Sequence, residues 1–110
     1  MRKAEVYYQN DLAGLLSETD DGHYIFQYTD AYIKKFPKQL ISFVMPVRVN
    51  PYEDKQLFAF FEGLIPEGWL LDIASKNWKI NPNDRMGLLM ACCQNCIGAV
   101  SIKPIIETND

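Results

Sequence analysis

Residues 4–28, AEVYYQNDLAGLLSETDDGHYIFQY, carry the pattern that decides the fold class. Two segments rich in apolar, β-branched and aromatic residues, AEVYY at 4–8 and LAGLLSE at 12–18, flank QND, which favours a tight turn, so this spacing predicts a hairpin. A second turn, TDDG at 19–22, precedes HYIFQY at 23–28, where aromatic residues occupy every second position, as in a half-buried strand. The three segments together predict an antiparallel meander.

The sequence that follows the meander is less regular. In TDAYIKKF, Asp30 is a candidate cap for one short helical turn. LISFVMP at 40–46 has the composition of a strand and ends at Pro46. VRVNPYED at 47–54 contains Pro51 and few periodic apolar residues, so we expect a loop there.

From Glu53 onward the apolar period changes to that of an α-helix. Four apolar side chains fall at positions i, i+3, i+4 and i+7, and therefore on one face. They are Leu57, Phe60, Phe61 and Leu64. The helix is expected to end before Pro66, because a proline ring disfavours helical geometry at the preceding residue.

Two further helices are predicted downstream. WLLDIASKNWKI at 69–80 has apolar residues at helical spacing over about three turns. NPND then has the features of a helix start, with Asn81 as the cap, Pro82 at the first helical position and Asp84 near the positive end of the helix dipole. We expect this third helix over residues 82–93.

After the helices the chain returns as a strand. In NCIGAVSIKP, Gly98 is interpreted as a backbone requirement at the strand entry, and AVSI at 99–102 is the predicted strand before Pro104. Strands, three helices and a last strand predict an α+β fold with segregated elements: a small antiparallel sheet built on a β-meander, about three helices and a returning C-terminal strand. With 110 residues and neither a linker nor a repeat, a single domain over 1–110 is expected.

The bulk composition disfavours several classes of function. Hydrophobic residues make up 48% and charged residues 23% of the sequence, which is typical of a globular protein. The formal net charge of -3 disfavours direct binding to nucleic acid, because no basic face would gather phosphates. No secretory signal or membrane span is recognisable, and the three cysteines of ACCQNC are poor material for disulfides, so a cytoplasmic protein is expected.

Residue types that commonly carry catalysis are sparse. The single histidine, His23, lies in a predicted strand and is interpreted as structural or solvent-facing. Cys92, Cys93 and Cys96 lack the four-ligand spacing of a zinc site, and neighbouring residues on a helix point about 100° apart, which favours packing over metal binding. Neither a phosphate loop nor a set of kinase carboxylates is recognisable. The sequence therefore predicts no enzymatic activity, no cofactor and no metal site.

The joint between the first two amphipathic helices, FFEGLIPEGW at 60–69, is the candidate site. Trp69 follows the joint directly and lies on a mixed face with Asp72 and Lys76. It either folds back over the joint or projects as an interface anchor, a role in which tryptophan is enriched. On the second hypothesis the joint is an elbow that presents the indole to a partner, with Asp72 and Lys76 at the rim. The candidate partner-binding residues are Glu67, Gly68, Trp69, Asp72 and Lys76.

Three stretches in this order, FFEGLIPEGW, NPNDRMGLLMA and NCIGAVSI, carry a family resemblance. The sequence resembles the N-terminal subdomain of the HipA family of toxin–antitoxin serine/threonine kinases, from about Ala4 to Pro104. In that family an FF-x-N/G-L-L/I-P-E segment precedes an N/D-x-x-G-L-L helix and a C-x-G-A-V/L strand. None of these motifs is catalytic, so the resemblance rests on several matches in the same order.

A HipA kinase continues into a kinase core, whereas this sequence ends six residues after Pro104. The resemblance therefore implies a free-standing domain similar to HipS, the small antitoxin of three-component HipBST systems, which restrains the kinase HipT. The expected partner is a HipT-like serine/threonine kinase, which Trp69 would approach at its cleft. The alternatives are an accessory domain that completes or stabilises the kinase, and an adaptor that reaches DNA only indirectly, through a HipB-like helix-turn-helix protein.

Overall fold

In the computed structural model, which describes residues 2–41, 44–65, 76–77, 79–92 and 100–105, the described strands form one five-stranded antiparallel sheet. The strands are β1 (Arg2–Tyr8), β2 (Asp11–Glu18), β3 (Tyr24–Tyr28), β4 (Tyr52–Asp54) and β5 (Val100–Ile105). Their spatial order is β4-β3-β2-β1-β5, and every neighbouring pair is antiparallel. The predicted α+β class and the return of the C-terminal strand to the sheet are confirmed.

The predicted meander is confirmed as β1, β2 and β3. β1 and β2 pair from Arg2 opposite Glu18 to Tyr8 opposite Asp11, and the register shifts between Val6 and Tyr7, which marks a bulge. The turn between β2 and β3 is closed by a hydrogen bond from the Thr19 backbone N–H to the His23 carbonyl, at 2.8 Å. The two local turns therefore fix the order and the direction of the three central strands.

Side chains of one face of the sheet form the core. Ala4 and Val6 of β1, Leu16 of β2 and Phe26 of β3 are fully buried, and Ile102 joins them from β5. Alternate residues of the same strands point to the other face, because side chains alternate along a strand. There Leu15 is 39% exposed, and Gln27 and Lys103 are exposed.

Three helices lie on the buried face of the sheet within the described residues: α1 (Asp30–Lys35), α2 (Ala59–Glu62) and α3 (Arg85–Cys92). Tyr32 of α1 stacks on Tyr28, with ring centroids 5.8 Å apart, and Phe61 of α2 meets Phe26 at 5.6 Å. α3 adds three fully buried side chains. They are Met86, Leu88 and Leu89. The helices thus cover one face of the sheet.

The predicted strand at 40–46 is wrong for its described residues, where only Met45 forms an isolated bridge. Side chains replace a strand ladder in this segment. The Tyr28 hydroxyl donates a hydrogen bond to the Met45 carbonyl and accepts one from the Ile41 backbone N–H, at 3.2 Å. The predicted loop at 47–54 is wrong at its end, because Tyr52–Asp54 is β4, an edge strand whose Tyr52 lies opposite Phe26.

The first predicted amphipathic helix is much shorter than expected. It begins at Ala59 rather than at Glu53, because β4 uses residues 52–54 and the Asp54 side chain then accepts a hydrogen bond from the Gln56 backbone N–H, at 3.2 Å. The apolar pattern still predicts packing: Leu57 is 6% exposed and Phe61 is fully buried. The helix ends at Glu62, before Pro66 as predicted, and Gly63 is its C-cap.

Helix starts differ from the prediction by a few residues. Thr29, not Asp30, caps α1, since its hydroxyl accepts a hydrogen bond from the Tyr32 backbone N–H at 3.2 Å. α3 begins at Arg85 rather than at Pro82, and Asp84 is its cap. Asn81 instead closes the preceding turn, where its side chain accepts from the Asn83 backbone N–H at 2.8 Å.

Parts of the predicted second helix, 69–80, lie outside the described residues, as do Cys93, Cys96 and Gly98. Within this stretch residues 76 and 77 are helical, and Lys79 has a φ of 54°. β5 extends beyond the predicted AVSI to Ile105 and includes Pro104. Proline is tolerated there because β5 is an edge strand of the sheet.

Candidate partner-binding site

Most of the predicted partner-binding residues, Glu67, Gly68, Trp69 and Asp72, lie outside the described residues. The fifth, Lys76, is exposed in the helical pair 76–77. The structure does not test whether these residues form one surface. It does describe the first part of the joint, from Phe60 to Ile65, and, further along the chain, the turn before α3.

The α2 flank is fixed by aromatic packing. Phe61, fully buried, meets Phe60 at 5.2 Å and Phe58 at 6.2 Å between ring centroids. Ile65, the last described residue of the joint before Pro66, is only 2% exposed. An aromatic residue and a branched apolar residue therefore anchor the chain on either side of Gly63.

Arg85, at the start of α3, binds the end of α2. Its Nε and Nη2 atoms donate to the Glu62 carboxylate, with the shortest bond, Nη2 to Oε2, at 2.8 Å. Its Nη1 atom donates to the Pro82 carbonyl at 3.1 Å. One guanidinium thus ties the residue before Gly63 to the turn that precedes α3. We call this set, Glu62, Pro82 and Arg85, the α2–α3 clasp.

Asp84, the neighbour of Arg85, binds the sheet. Arg2 of β1 donates to both Asp84 carboxylate oxygens, at 3.0 and 2.8 Å, and its Nε donates to Glu18 at 2.7 Å. Glu18 also accepts a hydrogen bond from the Tyr24 hydroxyl at 3.0 Å. These four residues, Arg2, Glu18, Tyr24 and Asp84, form the sheet–α3 network.

The electrostatics of this network follow from its contacts. The hydrogen bonds from Arg2 lower the pKa of Asp84, and the hydrogen bond to Asp84 is the largest influence that raises the pKa of Arg2. Burial, followed by the hydrogen bond to Glu18, raises the pKa of Tyr24 to about 12. At neutral pH the Asp84 carboxylate and the Arg2 guanidinium are therefore charged and paired.

The clasp and the network were not foreseen from the sequence. Arg2 and Asp84 are 82 positions apart, and Glu62 and Arg85 are 23 apart, so no local spacing rule connects them. The one local signal is Asp84, which was expected near the positive end of the helix dipole. That signal gave neither its role as the cap nor its partner Arg2, and nothing local indicated that Arg85 binds Glu62.

Two searches of the described residues concern other kinds of site. Within them, no group of three or more histidine, cysteine, aspartate or glutamate residues is arranged to hold a metal ion. No helix in the described part of the chain is long and apolar enough to cross a membrane.

The sheet order, the helices on one face and the joint after α2 can now be compared with known proteins. The family model described as "HipA N-terminal domain" matches residues 4–103. The chain belongs to the HipA N-terminal domain family. The match extends from β1 into β5 and so includes every described element of the fold.

Two relatives show the extent of this similarity. The solved structure titled "N-terminal domain of HipA toxin" superposes with a TM-score of 0.73 at 25% identity, covering 98% of this chain and 96% of that one. An uncharacterized protein of Haemophilus influenzae (strain ATCC 51907 / DSM 11121 / KW20 / Rd) is 30% identical over 103 residues, which are 94% of this chain and 92% of that protein. The matched regions thus cover nearly all of both relatives.

Proposed function

We propose that this HipA N-terminal domain is an antitoxin of the HipS type, which binds and inhibits a HipT-like serine/threonine kinase in a three-component toxin–antitoxin system. The observation that carries the proposal is the family match over residues 4–103, since this family domain is the N-terminal part of a toxin kinase and not its catalytic part. A domain that evolved against a kinase core retains a surface suited to that core. Binding in trans then needs no new interface chemistry.

The size of the Haemophilus influenzae relative supports a free-standing role. The matched region covers 92% of that protein, so in that organism a domain of this kind stands almost alone in its chain. The structure of the two flanks adds a physical argument. The α2–α3 clasp and the packing of Phe61 and Ile65 fix the described chain before residue 66 and after residue 79, so an elbow between these points would lose less conformational entropy on binding.

Within this proposal Trp69 is the anchor, and Glu67 and Gly68 shape the elbow that presents it. Asp72 and Lys76 lie at the rim, where charges usually contribute more to the association rate than to affinity. The indole would enter or border the kinase cleft and hinder the substrate, the nucleotide or a required motion. A HipB-like helix-turn-helix protein is the proposed third component and the only contact with DNA.

The test uses the purified HipT-like kinase encoded with this chain, assayed with and without the chain. Wild-type protein is expected to bind the kinase and to lower its activity. The Trp69→Ala variant is expected to bind at least tenfold more weakly, as for a truncated aromatic hot spot, and to release the activity. Circular dichroism and thermal melting check that the variant is folded.

The Trp78→Phe variant is the matched control, because it alters the other tryptophan of the chain and keeps an aromatic ring. It should inhibit as the wild type does. If the kinase gained activity on addition of the wild-type chain, the antitoxin proposal would be wrong and the alternative, an accessory domain that completes or stabilises the kinase, would take its place. Equal binding and inhibition by wild type and Trp69→Ala would remove Trp69 from the interface and leave the antitoxin role standing.

A further inference from the structure

The α2–α3 clasp joins two points of the chain that are 23 positions apart, Glu62 and Arg85. All of the predicted partner-binding residues, from Glu67 to Lys76, lie between these two points in the sequence. The clasp is therefore the closure of one loop that contains the whole predicted elbow. Closing a loop removes the conformations in which its two ends are far apart.

Each end of this loop is also held on the sheet. Phe61, which precedes Glu62, is fully buried in the core. Asp84, which precedes Arg85, receives two hydrogen bonds from Arg2 of β1, at 3.0 and 2.8 Å. Both partners of the clasp thus follow directly after a residue that is anchored to the body of the domain, so the clasp relates the loop ends to the sheet as well as to each other.

The geometry of the clasp fixes orientation as well as distance. The Nε and Nη2 atoms of Arg85 donate to both carboxylate oxygens of Glu62, at 2.8 to 3.2 Å, and its Nη1 atom donates to the Pro82 carbonyl at 3.1 Å. A bidentate arginine–carboxylate pair restricts the angle between its two partners, which a contact at a single point does not do. The end of α2 and the turn before α3 therefore keep one relative arrangement while the clasp is formed.

We propose that Arg85 is a positioning residue for the partner-binding elbow, because its bonds to Glu62 hold the two ends of the loop in the arrangement that the partner binds. The proposal rests on the proposed function, since it takes Trp69 as the anchor. Arg85 and Glu62 act through the loop and not by touching the kinase. A loop whose ends are already held loses less conformational entropy when its anchor is bound.

The first measurement follows the Trp69 indole in the isolated chain by nuclear magnetic resonance. The chain has two tryptophans, so the isotope-labelled protein should give two indole N–H signals, and either Trp78→Phe or Trp69→Phe assigns them by removing one. Arg85→Gln should increase the fast motion of the Trp69 indole, seen as a lower heteronuclear Overhauser effect. Gly14→Ala is the control for a general loss of stability, because its strain lies between β2 and β3, and it should leave this signal unchanged.

The second measurement is the affinity for the purified HipT-like kinase encoded with this chain. Arg85→Gln and Glu62→Gln should each weaken binding about three- to tenfold, as for a loop that must be ordered on binding. The double variant should bind no more weakly than either single variant, because all three lack the same contact. Additive effects would mean that one of the two side chains contacts the kinase directly, and would overturn the positioning role.

The two measurements separate this proposal from the proposed function. If Arg85→Gln leaves the motion of the Trp69 indole unchanged, the positioning role is wrong, whatever the kinase does. It is also wrong if Gly14→Ala loosens the indole as much as Arg85→Gln does, since the effect would then be general instability. If the wild-type chain does not bind the kinase, the antitoxin proposal is wrong and the indole measurement alone decides the role of Arg85.

Discussion

At the scale of single residues, Tyr28 carries more of the fold than its place in a strand suggests. Its ring is buried against Phe26 and Tyr32, and its hydroxyl bonds both ends of the segment from Ile41 to Met45. Burial raises the pKa of Tyr28 to about 12. This hydroxyl thus satisfies the Ile41 N–H and the Met45 carbonyl without strand pairing, and it is a group whose ionisation opposes folding.

Tyr28→Phe is expected to lower the free energy of unfolding by about 1–2 kcal/mol at neutral pH, because the Met45 carbonyl loses its donor. The variant should also respond differently to alkali. Since the folded pKa is raised above the ordinary tyrosine pKa of 10.0, wild-type stability is fully present below pH 10 and falls as the pH approaches about 12. Urea unfolding at neutral pH measures the first effect, and urea unfolding at several pH values from 10 to about 12 measures the second.

Between pH 10 and about 12 the free energy of unfolding of the wild type is expected to fall by about 2 kcal/mol more than that of Tyr28→Phe, because phenylalanine has no hydroxyl to ionise. Tyr24, with a pKa raised to about 12, and the other groups that titrate there are present in both proteins and cancel in the difference. Identical alkaline profiles of the two proteins would show that the Tyr28 hydroxyl is not buried as described.

Gly14 is required by close packing. A Cβ atom there would lie 2.5 Å from the Gln27 carbonyl oxygen and 2.6 Å from the Phe26 ring, both of which belong to the paired strand β3. Gly14→Ala is therefore expected to destabilise the protein by about 1–3 kcal/mol, as for an overpacked core. Urea unfolding at neutral pH is the measurement.

Gly63→Ala is the matched control for Gly14→Ala. Gly63 has φ −66° and ψ −15°, which any residue adopts, and a Cβ there would meet nothing closer than 3.4 Å. This change should leave stability unchanged or raise it slightly, since alanine favours helical geometry. Equal effects of the two substitutions would contradict the packing account of Gly14.

At the scale of elements, the start of α3 connects the sheet to α2. Asp84 binds Arg2 of β1, and Arg85 binds Glu62 of α2. Two adjacent residues at the start of α3 therefore connect this helix both to the sheet and to α2. α2 has only four residues and is too short to be stable by itself, so its position depends on this clasp and on the burial of Phe61.

Arg85→Lys is expected to lower stability by about 1 kcal/mol, because an ammonium cannot reproduce the paired bonds to Glu62 together with the bond to Pro82. Thermal unfolding gives the stability, and hydrogen exchange at the Gly63 amide, which donates to the Ala59 carbonyl, gives the local loosening of α2. Faster exchange at Gly63 than at the central strands is the expected pattern.

Lys35→Met is the control for Arg85→Lys, because it removes an exposed ion pair that lacks the paired hydrogen bonds of an arginine. Lys35 pairs with Asp11 at 3.7 Å, and the two side chains are 69% and 43% exposed. Its loss should change stability by less than about 0.5 kcal/mol. If Arg85→Lys behaved like this control in both measurements, the clasp would have no role in holding α2.

The elements differ in how far the sequence predicts them. β1, β2 and β3 follow from alternation and from two short turns, both of which are local signals. The bounds of α2 cannot be predicted in this way. Leu57 is buried although it lies outside the helix, so the apolar pattern does not locate the first helical residue. That residue depends on the edge pairing of Tyr52 with Phe26. The strand predicted at 40–46 failed for a related reason, since the Tyr28 hydroxyl satisfies its backbone from a distance.

At the scale of the whole molecule, the sheet separates two surfaces. One face carries α1, α2 and α3, and the other carries Leu15 and Gln27. Element order predicted the α+β class, and the resemblance carried by three motifs predicted the family fold. The clasp and the network depend on residues brought together from distant parts of the chain, which no spacing rule reveals. The elbow residues, Trp69 above all, remain a prediction from the sequence.

The net charge of -3 leads to the last prediction, which concerns DNA. The isolated chain should not bind duplex DNA of its own operator region, even at low salt, where contacts with phosphates are strongest. Fluorescence anisotropy of labelled duplex, titrated with the chain alone and then with the chain and its helix-turn-helix partner, measures this. Binding that appears only with the partner fits an antitoxin that reaches DNA indirectly. Direct binding that weakens steeply as salt rises would instead reveal a basic face and contradict the charge argument.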